Sequence, residues 1–283
     1  MLAIIGGSGF EDFAGIKTIA PLSQDTPYGQ ASSGIQRIEA FQNECIFVPR
    51  HGKDHELSPS EVNFRANFFA LKQAGVNRIL SFSSVGSLRK DIAPGDLVVP
   101  SQFIDRTKGT RQSTFCEQGL VAHVSLAQPI WVQAKDFLQS NAWLFSFKAH
   151  FDKTYICVEG PGFSTRAESL CYRQIGADII GMTAFPEYAL ARELGISYLP
   201  CCFITDYDSW DPHSEHVTLP MILDILKQNN EKAYALIKSF LEHTLPADPS
   251  IEAGLAGCLL SKGSLGPRAQ ILMDLLNRER ERL

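Results

Sequence analysis

Ile204-Thr205-Asp206-Tyr207-Asp208 places two carboxyls two residues apart, and in an extended segment that spacing puts both on one side. Such a pair can grip a metal ion or read the donor and acceptor edge of a heterocycle, and a strand-end Asx turn would use the same residues structurally. Pro49-Arg50-His51-Gly52 sets a permanent cation beside an imidazole, a combination suited to a bidentate grip on an anion with the histidine donating to the same group. Gly6-Gly7-Ser8-Gly9-Phe10 and Ser83-Ser84-Val85-Gly86-Ser87 offer backbone N–H groups and hydroxyls, the donors an oxyanion needs. The first of these is neither a Walker loop, since no Lys-Ser/Thr follows, nor a full dinucleotide fingerprint, since the third glycine is missing. Residues 158–166 add a rigid Gly-Pro-Gly turn, an aromatic, Phe163, that can stack on a base, and Ser164 at a helix start.

These segments act only if regular elements bring their ends together. Short apolar runs at 2–5, 35–40, 45–48, 78–83, 96–103, 155–158, 178–183 and 196–205 read as strands, several apolar on both faces as buried parallel strands are. Helical patterns lie between them at 60–74, 129–140, 164–175, 187–194 and 218–243, the first opened by Ser58-Pro59 and the last by a Thr cap and a first-turn Pro. This alternation predicts an α/β fold, a single doubly wound mixed sheet flanked by helices, with no linker before residue 245. The expected catalytic domain is therefore 1–245. Leu245-Pro246-Ala247-Asp248-Pro249 reads as a hinge into a C-terminal helical appendage, 246–283, whose last helix spans 267–282. Open sheets of this type bind ligands at the carboxyl ends of their strands. The Ser8, Arg50, Ser83 and Asp206 segments all fall at such ends.

Composition narrows the partners. Lys+Arg 26 against Asp+Glu 31 leaves a net charge of −5 and a pI near 5.8, so no general field draws nucleic acid or anionic lipid. Arg278-Glu279-Arg280-Glu281-Arg282 alternates in sign and reads as a solvated helix end. Seven cysteines, an odd number without Cys-x-x-Cys or zinc-ligand spacing, predict a reduced, cytoplasmic protein with no metal site. The start lacks the basic region of a signal peptide, and no run of about eighteen apolar residues is present to span a bilayer.

Read in order, Gly6-Gly7-Ser8-Gly9-Phe10, Arg50-His51-Gly52, Pro94-Gly95-Asp96, Glu159-Gly160-Pro161, Gly181-Met182-Thr183, Pro186-Glu187 and Thr205-Asp206-Tyr207-Asp208 resemble the methylthioadenosine phosphorylase branch of the trimeric purine nucleoside phosphorylase family. The resemblance runs over residues 2 to about 243. It implies a nucleoside phosphorylase-like fold, a homotrimer, no cofactor, and phosphorolysis of 5′-methylthioadenosine to adenine and 5-methylthioribose 1-phosphate, with inorganic phosphate as co-substrate. By that resemblance Ser8, Arg50, His51, Ser83 and Ser84 hold the phosphate, Met182 and Thr183 line the ribose, and Phe163 packs on the purine. Leu219, Ile222 and Leu223 face the methylthio group, and His123 reaches the same pocket from a neighbouring subunit. Those three apolar residues stand at i, i+3 and i+4, a strip that core packing also explains.

Asp206 becomes the proton donor to purine N7, and Asp208 the acceptor from the 6-amino group. An aspartate, with an ordinary pKa of about 3.9, donates at neutral pH only where burial or a neighbouring charge raises it. Relatives acting on 6-oxopurines place Asn at the first position, so Asp206 favours a 6-aminopurine. Phosphorolysis of 6-oxopurine nucleosides or of 5′-methylthioinosine, hydrolysis by water, and silent purine binding are the alternatives. The chain departs from the pattern at Gly162, where relatives often carry Arg, at Gly181, where many carry Asn, and at Ser83-Ser84 in place of Thr-Ala. Glu187 is assigned to the core and left out of the site.

Overall fold

The computed structural model describes residues 1–7, 17–211, 219–243 and 245–280, the side chains at 219–224, 226, 279 and 280 excepted. Its strands are β1 (Leu2–Gly6), β2 (Lys17–Pro21), β3 (Asp25–Thr26), β4 (Gly29–Gln30), β5 (Gln36–Ala40), β6 (Asn43–Pro49), β7 (Arg78–Ser87), β8 (Leu97–Arg106), β9 (Ala149–Val158), β10 (Ile179–Gly181) and β11 (Ser197–Tyr207). Its α-helices are α1 (Phe64–Gln73), α2 (Val132–Ser140), α3 (Arg166–Gln174), α4 (Ala184–Glu193), α5 (Leu219–Glu242) and α6 (Pro267–Arg280).

One mixed sheet runs in the order β10-β9-β8-β11-β7-β1-β6-β5-β2. Its centre, β6-β1-β7-β11, is parallel, so the carboxyl ends of four strands open on one side, as expected of an α/β sheet. The alternation of side chains along β1 assigns the two faces. Ala3 and Ile5 pack into a cluster with Phe68 and Leu71 of α1 and Leu190 of α4. Leu2 and Ile4 pack on the other face with Leu138 of α2 and Leu236 and Ile237 of α5. Each such leucine, isoleucine or phenylalanine, fully buried, contributes about 1.5–3 kcal/mol, and removing a leucine on either face would leave a cavity. Ala269, Leu272, Met273 and Leu276 of α6 are buried in the first cluster beside Tyr28 and Phe64, so the segment after residue 245 contributes to the core of the segment before it.

Among the boundaries that differ from the sequence expectation, two have a clear local reason. The first helix begins at Phe64 rather than at residue 60, because the Asn63 side chain accepts the Ala66 N–H at 3.2 Å and caps it there. Ser58–Glu61 is instead a separate turn, its Glu61 carboxylate accepting from the Ser58 N–H and hydroxyl at 3.0 and 2.6 Å. β7, expected to end at residue 83, runs to Ser87. Its polar Ser83–Ser87 end stays in the ladder because it is paired on both sides, to β11 and, antiparallel, to β10 through Ile179↔Ser87 and Ile180↔Gly86. That second pairing closes β7, β11, β8, β9 and β10 into a ring at one end of the sheet.

Candidate active site

The ring closure builds a cavity of about 590 Å³ over the carboxyl ends of β7, β10 and β11. Ser83 and Gly86 of β7 both line it, and three residues of strand advance about 10 Å. The cavity therefore has two ends, one at Ser83 with Gly7, Arg50 and His51, the other at Gly86 with Asp206 and Asp208.

At the first end Arg50 is 1% exposed. Its Nε donates to Glu187 Oε1 at 2.5 Å, Nη2 to Glu187 Oε2 at 3.2 Å and to Ser81 Oγ at 2.7 Å, and Nη1 to the Phe82 carbonyl at 3.0 Å. Tyr198 Oη donates to the same Glu187 carboxylate at 2.8 Å. A guanidinium has five N–H groups, so among the described residues four are committed to protein and one, on Nη1, is left. The bidentate grip expected of Arg50 is thus directed at Glu187, and a ligand meets one N–H of a cation already balanced by a carboxylate. Burial alone would loosen the Arg50 proton, but the Glu187 charge outweighs it and holds the group above its ordinary pKa. His51 Nδ1 lies 2.9 Å from the Leu57 carbonyl, and because a carbonyl only accepts, that nitrogen carries the proton.

At the second end the pairing of β11 with β7 slips between Ile204 and Asp206, leaving Thr205 as the extra residue of a β-bulge. Bulges re-aim side chains beside functional sites, and here Asp206 is turned against Gly86 while Asp208 follows just past the strand. Asp206 Oδ2 accepts from Thr205 Oγ1 at 2.7 Å. Burial raises the Asp206 carboxyl above the usual range, the Thr205 hydroxyl opposes that, and the charge of Asp208 adds to it. Burial also raises Asp208, whose Oδ2 is buried without a hydrogen-bond partner among the described residues. The two carboxyls do face one cavity, as their spacing predicts.

Between the ends lie Met182 and Thr183, with Phe163, 77% exposed, on the wall. Gly160 holds φ +70°, and a β-carbon there would stand 2.4 Å from Met182 Sδ, so only glycine serves. At Gly181 a β-carbon would stand 2.0 Å from Tyr155 Oη. Tyr155 is fully buried, and its hydroxyl accepts the Thr183 N–H at 3.5 Å, occupying the space a side chain at 181 would take.

Arg50, His51, Ser83, Ser84, Phe163, Met182, Thr183, Asp206 and Asp208 thus line one cavity. His123 is exposed and lies outside its lining. Ser8 lies outside the described residues, and so do the side chains of Leu219, Ile222 and Leu223 at the start of α5. Glu187, taken for a core residue from its sequence, is buried at 1% exposure but holds Arg50 directly. Only its place beside Pro186 at a helix start marked it, and that signal does not reveal a partner on another strand. Among the described residues no group of three or more His, Cys, Asp or Glu is placed to hold a metal ion, and no helix is long and apolar enough to cross a membrane.

Comparison with known proteins agrees with this architecture. The model of the phosphorylase superfamily matches residues 1–242. The S-methyl-5′-thioadenosine phosphorylase of Geobacter sulfurreducens is 42% identical over 239 residues, 84% of each chain. That of Rhodospirillum rubrum is 44% identical over 239 residues, 84% of this chain and 81% of the relative. Among solved structures, a methylthioadenosine phosphorylase from an antarctic soil metagenomic library superposes with a TM-score of 0.87 at 39% identity, covering 97% of this chain and 98% of its own. The Schistosoma mansoni methylthioadenosine phosphorylase in complex with adenine gives 0.78 at 31% identity over 100% and 99%. With the family model spanning the whole sheet, and a neighbour sharing fold and sequence from end to end, this chain belongs to the phosphorylase superfamily, in its methylthioadenosine phosphorylase branch.

Proposed function

We propose that this protein catalyses phosphorolysis of 5′-methylthioadenosine, giving adenine and 5-methylthioribose 1-phosphate. The observation that carries this reading is the pairing, in one cavity, of a carboxyl driven toward its protonated form at Asp206 with an anion-compatible end at Arg50, His51 and Ser83. The C1′–N9 bond breaks with its electrons going to the base, and a phosphate oxygen forms the new bond to C1′. Positive charge grows on the sugar and negative charge on the purine, so a fixed phosphate helps the first and a proton donor the second. Asp206 gives its proton to N7 and is left as the carboxylate, to be reprotonated from water. Asp208, with a buried Oδ2 lacking a partner among the described residues, accepts from the 6-amino group.

In the same reading Ser8 and Ser84 add phosphate contacts, Met182 and Thr183 hold the ribose, and Phe163 covers the purine. Leu219, Ile222, Leu223 and, from a neighbouring copy, His123 enclose the methylthio group, and the active form is the homotrimer that the family resemblance implies. The reaction needs no cofactor beyond phosphate as co-substrate, and the enzyme works in the cytoplasm. Adenine release from 5′-methylthioadenosine is expected to depend strictly on added phosphate. Full-rate release in phosphate-free buffer would convert the reading to hydrolysis, and no release in either would end it.

A further inference from the structure

Arg111 sits in the irregular segment between β8 and α2, yet its side chain is 1% exposed. It does not line the cavity. Its Nε donates to Glu159 Oε1 at 2.9 Å and Nη2 to the Glu159 carbonyl at 2.8 Å, while Nη1 donates to the carbonyls of Met182 and Phe185, both at 2.7 Å. Among the described residues four of its five N–H groups are therefore spent, three on the backbone carbonyls of Glu159, Met182 and Phe185 and one on the Glu159 carboxylate. Glu159 extends the network, accepting from the Ser60 hydroxyl and, at 2.7 Å, from the Lys108 N–H. Burial works against its charge, but those two donors and Arg111 outweigh it and hold the carboxyl at about 2.

Arg111, Glu159 and Ser60 are absent from the cavity's lining, but chain neighbours of Glu159 and Ser60, and the Met182 that Arg111 holds, belong to it. Met182 and Thr183 form one wall, Val158 and Pro161 another, and Pro59 and Glu61 the rim. The Met182–Thr183 peptide is planar, with its N–H pointing opposite to its C=O. Drawing the Met182 carbonyl back onto Arg111 fixes the direction of the Thr183 N–H and the peptide plane on which the middle of the cavity is built. A guanidinium can bracket two carbonyls and a carboxylate at once, whereas an ammonium is a point donor without that fork.

We propose that Arg111 is a positioning residue that sets the wall against which the nucleoside's sugar and base lie, acting through the Met182 and Phe185 carbonyls and through Glu159. This rests on the phosphorolysis reading and adds to it a residue that touches no reacting atom. The Arg50 end has its own support in Glu187 and Ser81, so loss of Arg111 should be felt by the nucleoside and not by phosphate.

The test is steady-state phosphorolysis by wild type, Arg111→Lys and Glu159→Gln, varying 5′-methylthioadenosine and inorganic phosphate separately. In Arg111→Lys the nucleoside KM is expected to rise at least tenfold while the phosphate KM stays within twofold. Glu159→Gln is expected to give the same split to a smaller degree, and it keeps the test alive if the first variant does not fold. A folded variant whose nucleoside KM stays within twofold, or in which both KM values rise together, overturns the proposal. A wild type that fails to turn over 5′-methylthioadenosine would instead sink the phosphorolysis reading, so the two failures are distinguishable.

Discussion

The two ends of the cavity treat buried charge in opposite ways. At one, Arg50 is enclosed with a carboxylate, a hydroxyl and a carbonyl, and Glu187 itself is shared with Ser81 and Tyr198. At the other, Asp206 has one hydroxyl partner, Asp208 has an oxygen with none among the described residues, and burial raises both carboxyls, with the Asp208 charge adding to the rise at Asp206. A buried ion with its counter-ion is held in one charge state, whereas a buried carboxyl without a cation is driven to change state. On the proposed reading the Arg50 end serves as a fixed electrostatic surface and the Asp206 end as the proton source. That contrast matches what phosphorolysis asks of the two sides of a glycosidic bond.

The largest effect should come from Asp206→Asn. An amide of the same shape still fills the site and can donate a hydrogen bond, but it cannot hand over a proton, and general acid catalysis is worth about 10²–10⁴-fold. The turnover of 5′-methylthioadenosine should fall by about that factor with nucleoside binding kept. An undiminished rate would erase the distinction between the two ends.

The pH dependence sharpens the same point. Asp206 must be protonated to act, so kcat should fall as pH rises through its raised pKa, and Asp206→Asn should remove that limb. Stability has a matching sign. A carboxyl whose folded pKa lies above its unfolded value of about 3.9 stabilises the fold fully at lower pH, and that contribution is lost as pH rises through the folded pKa. At neutral pH and above, therefore, Asp206→Asn should be the more stable protein, by about 1 kcal/mol. Urea unfolding at pH 5 and pH 8 measures it, and a variant less stable than wild type at pH 8 would contradict the burial argument.

The opposite sign is expected at the other end. Removing one partner of a buried ion pair leaves the second uncompensated and costs about 3–5 kcal/mol, so Glu187→Ala should lose about that much in urea unfolding. Added phosphate supplies the missing negative charge beside Arg50. It should therefore raise Tm more in Glu187→Ala than in wild type, and equal shifts would mean that phosphate does not meet Arg50.

What was legible in the sequence follows the same divide. The Asp206 end could be read because its chemistry lies within three consecutive residues at the end of an apolar run. Arg50 was legible as a cation at a strand end, but its partner is 137 residues away, and Glu187 beside Pro186 looks like any helix start. Arg111 lies in a segment with neither helical nor strand period, so only its four hydrogen bonds single it out. The closure of the sheet rests on a three-residue strand, β10, making two register pairs with β7. A pairing that short leaves no periodic trace, and without it Ser83–Ser87 read as a loose tip rather than as the ladder joining both ends.

The wall between the ends carries the smallest expected effect. Tyr155 and Gly181 share one space, since a β-carbon at 181 would lie 2.0 Å from Tyr155 Oη and 2.7 Å from Cζ. Overpacking of this kind costs about 1–3 kcal/mol, so Gly181→Ala should be destabilised by that amount. Tyr155→Phe removes the hydroxyl but leaves Cζ in place, so it should relieve the clash only in part. Tyr155→Val removes the ring and should make Gly181→Ala markedly less costly in the double variant, with the 2.9 Å approach to Val85 Cγ1 remaining, a coupling that a double-mutant cycle reads directly. If the two substitutions add without coupling, the tyrosine does not fill the space beside Gly181. If they couple as expected, the wall is one interlocked unit, and Asp206→Asn and Glu187→Ala can be compared across it as changes at separate ends.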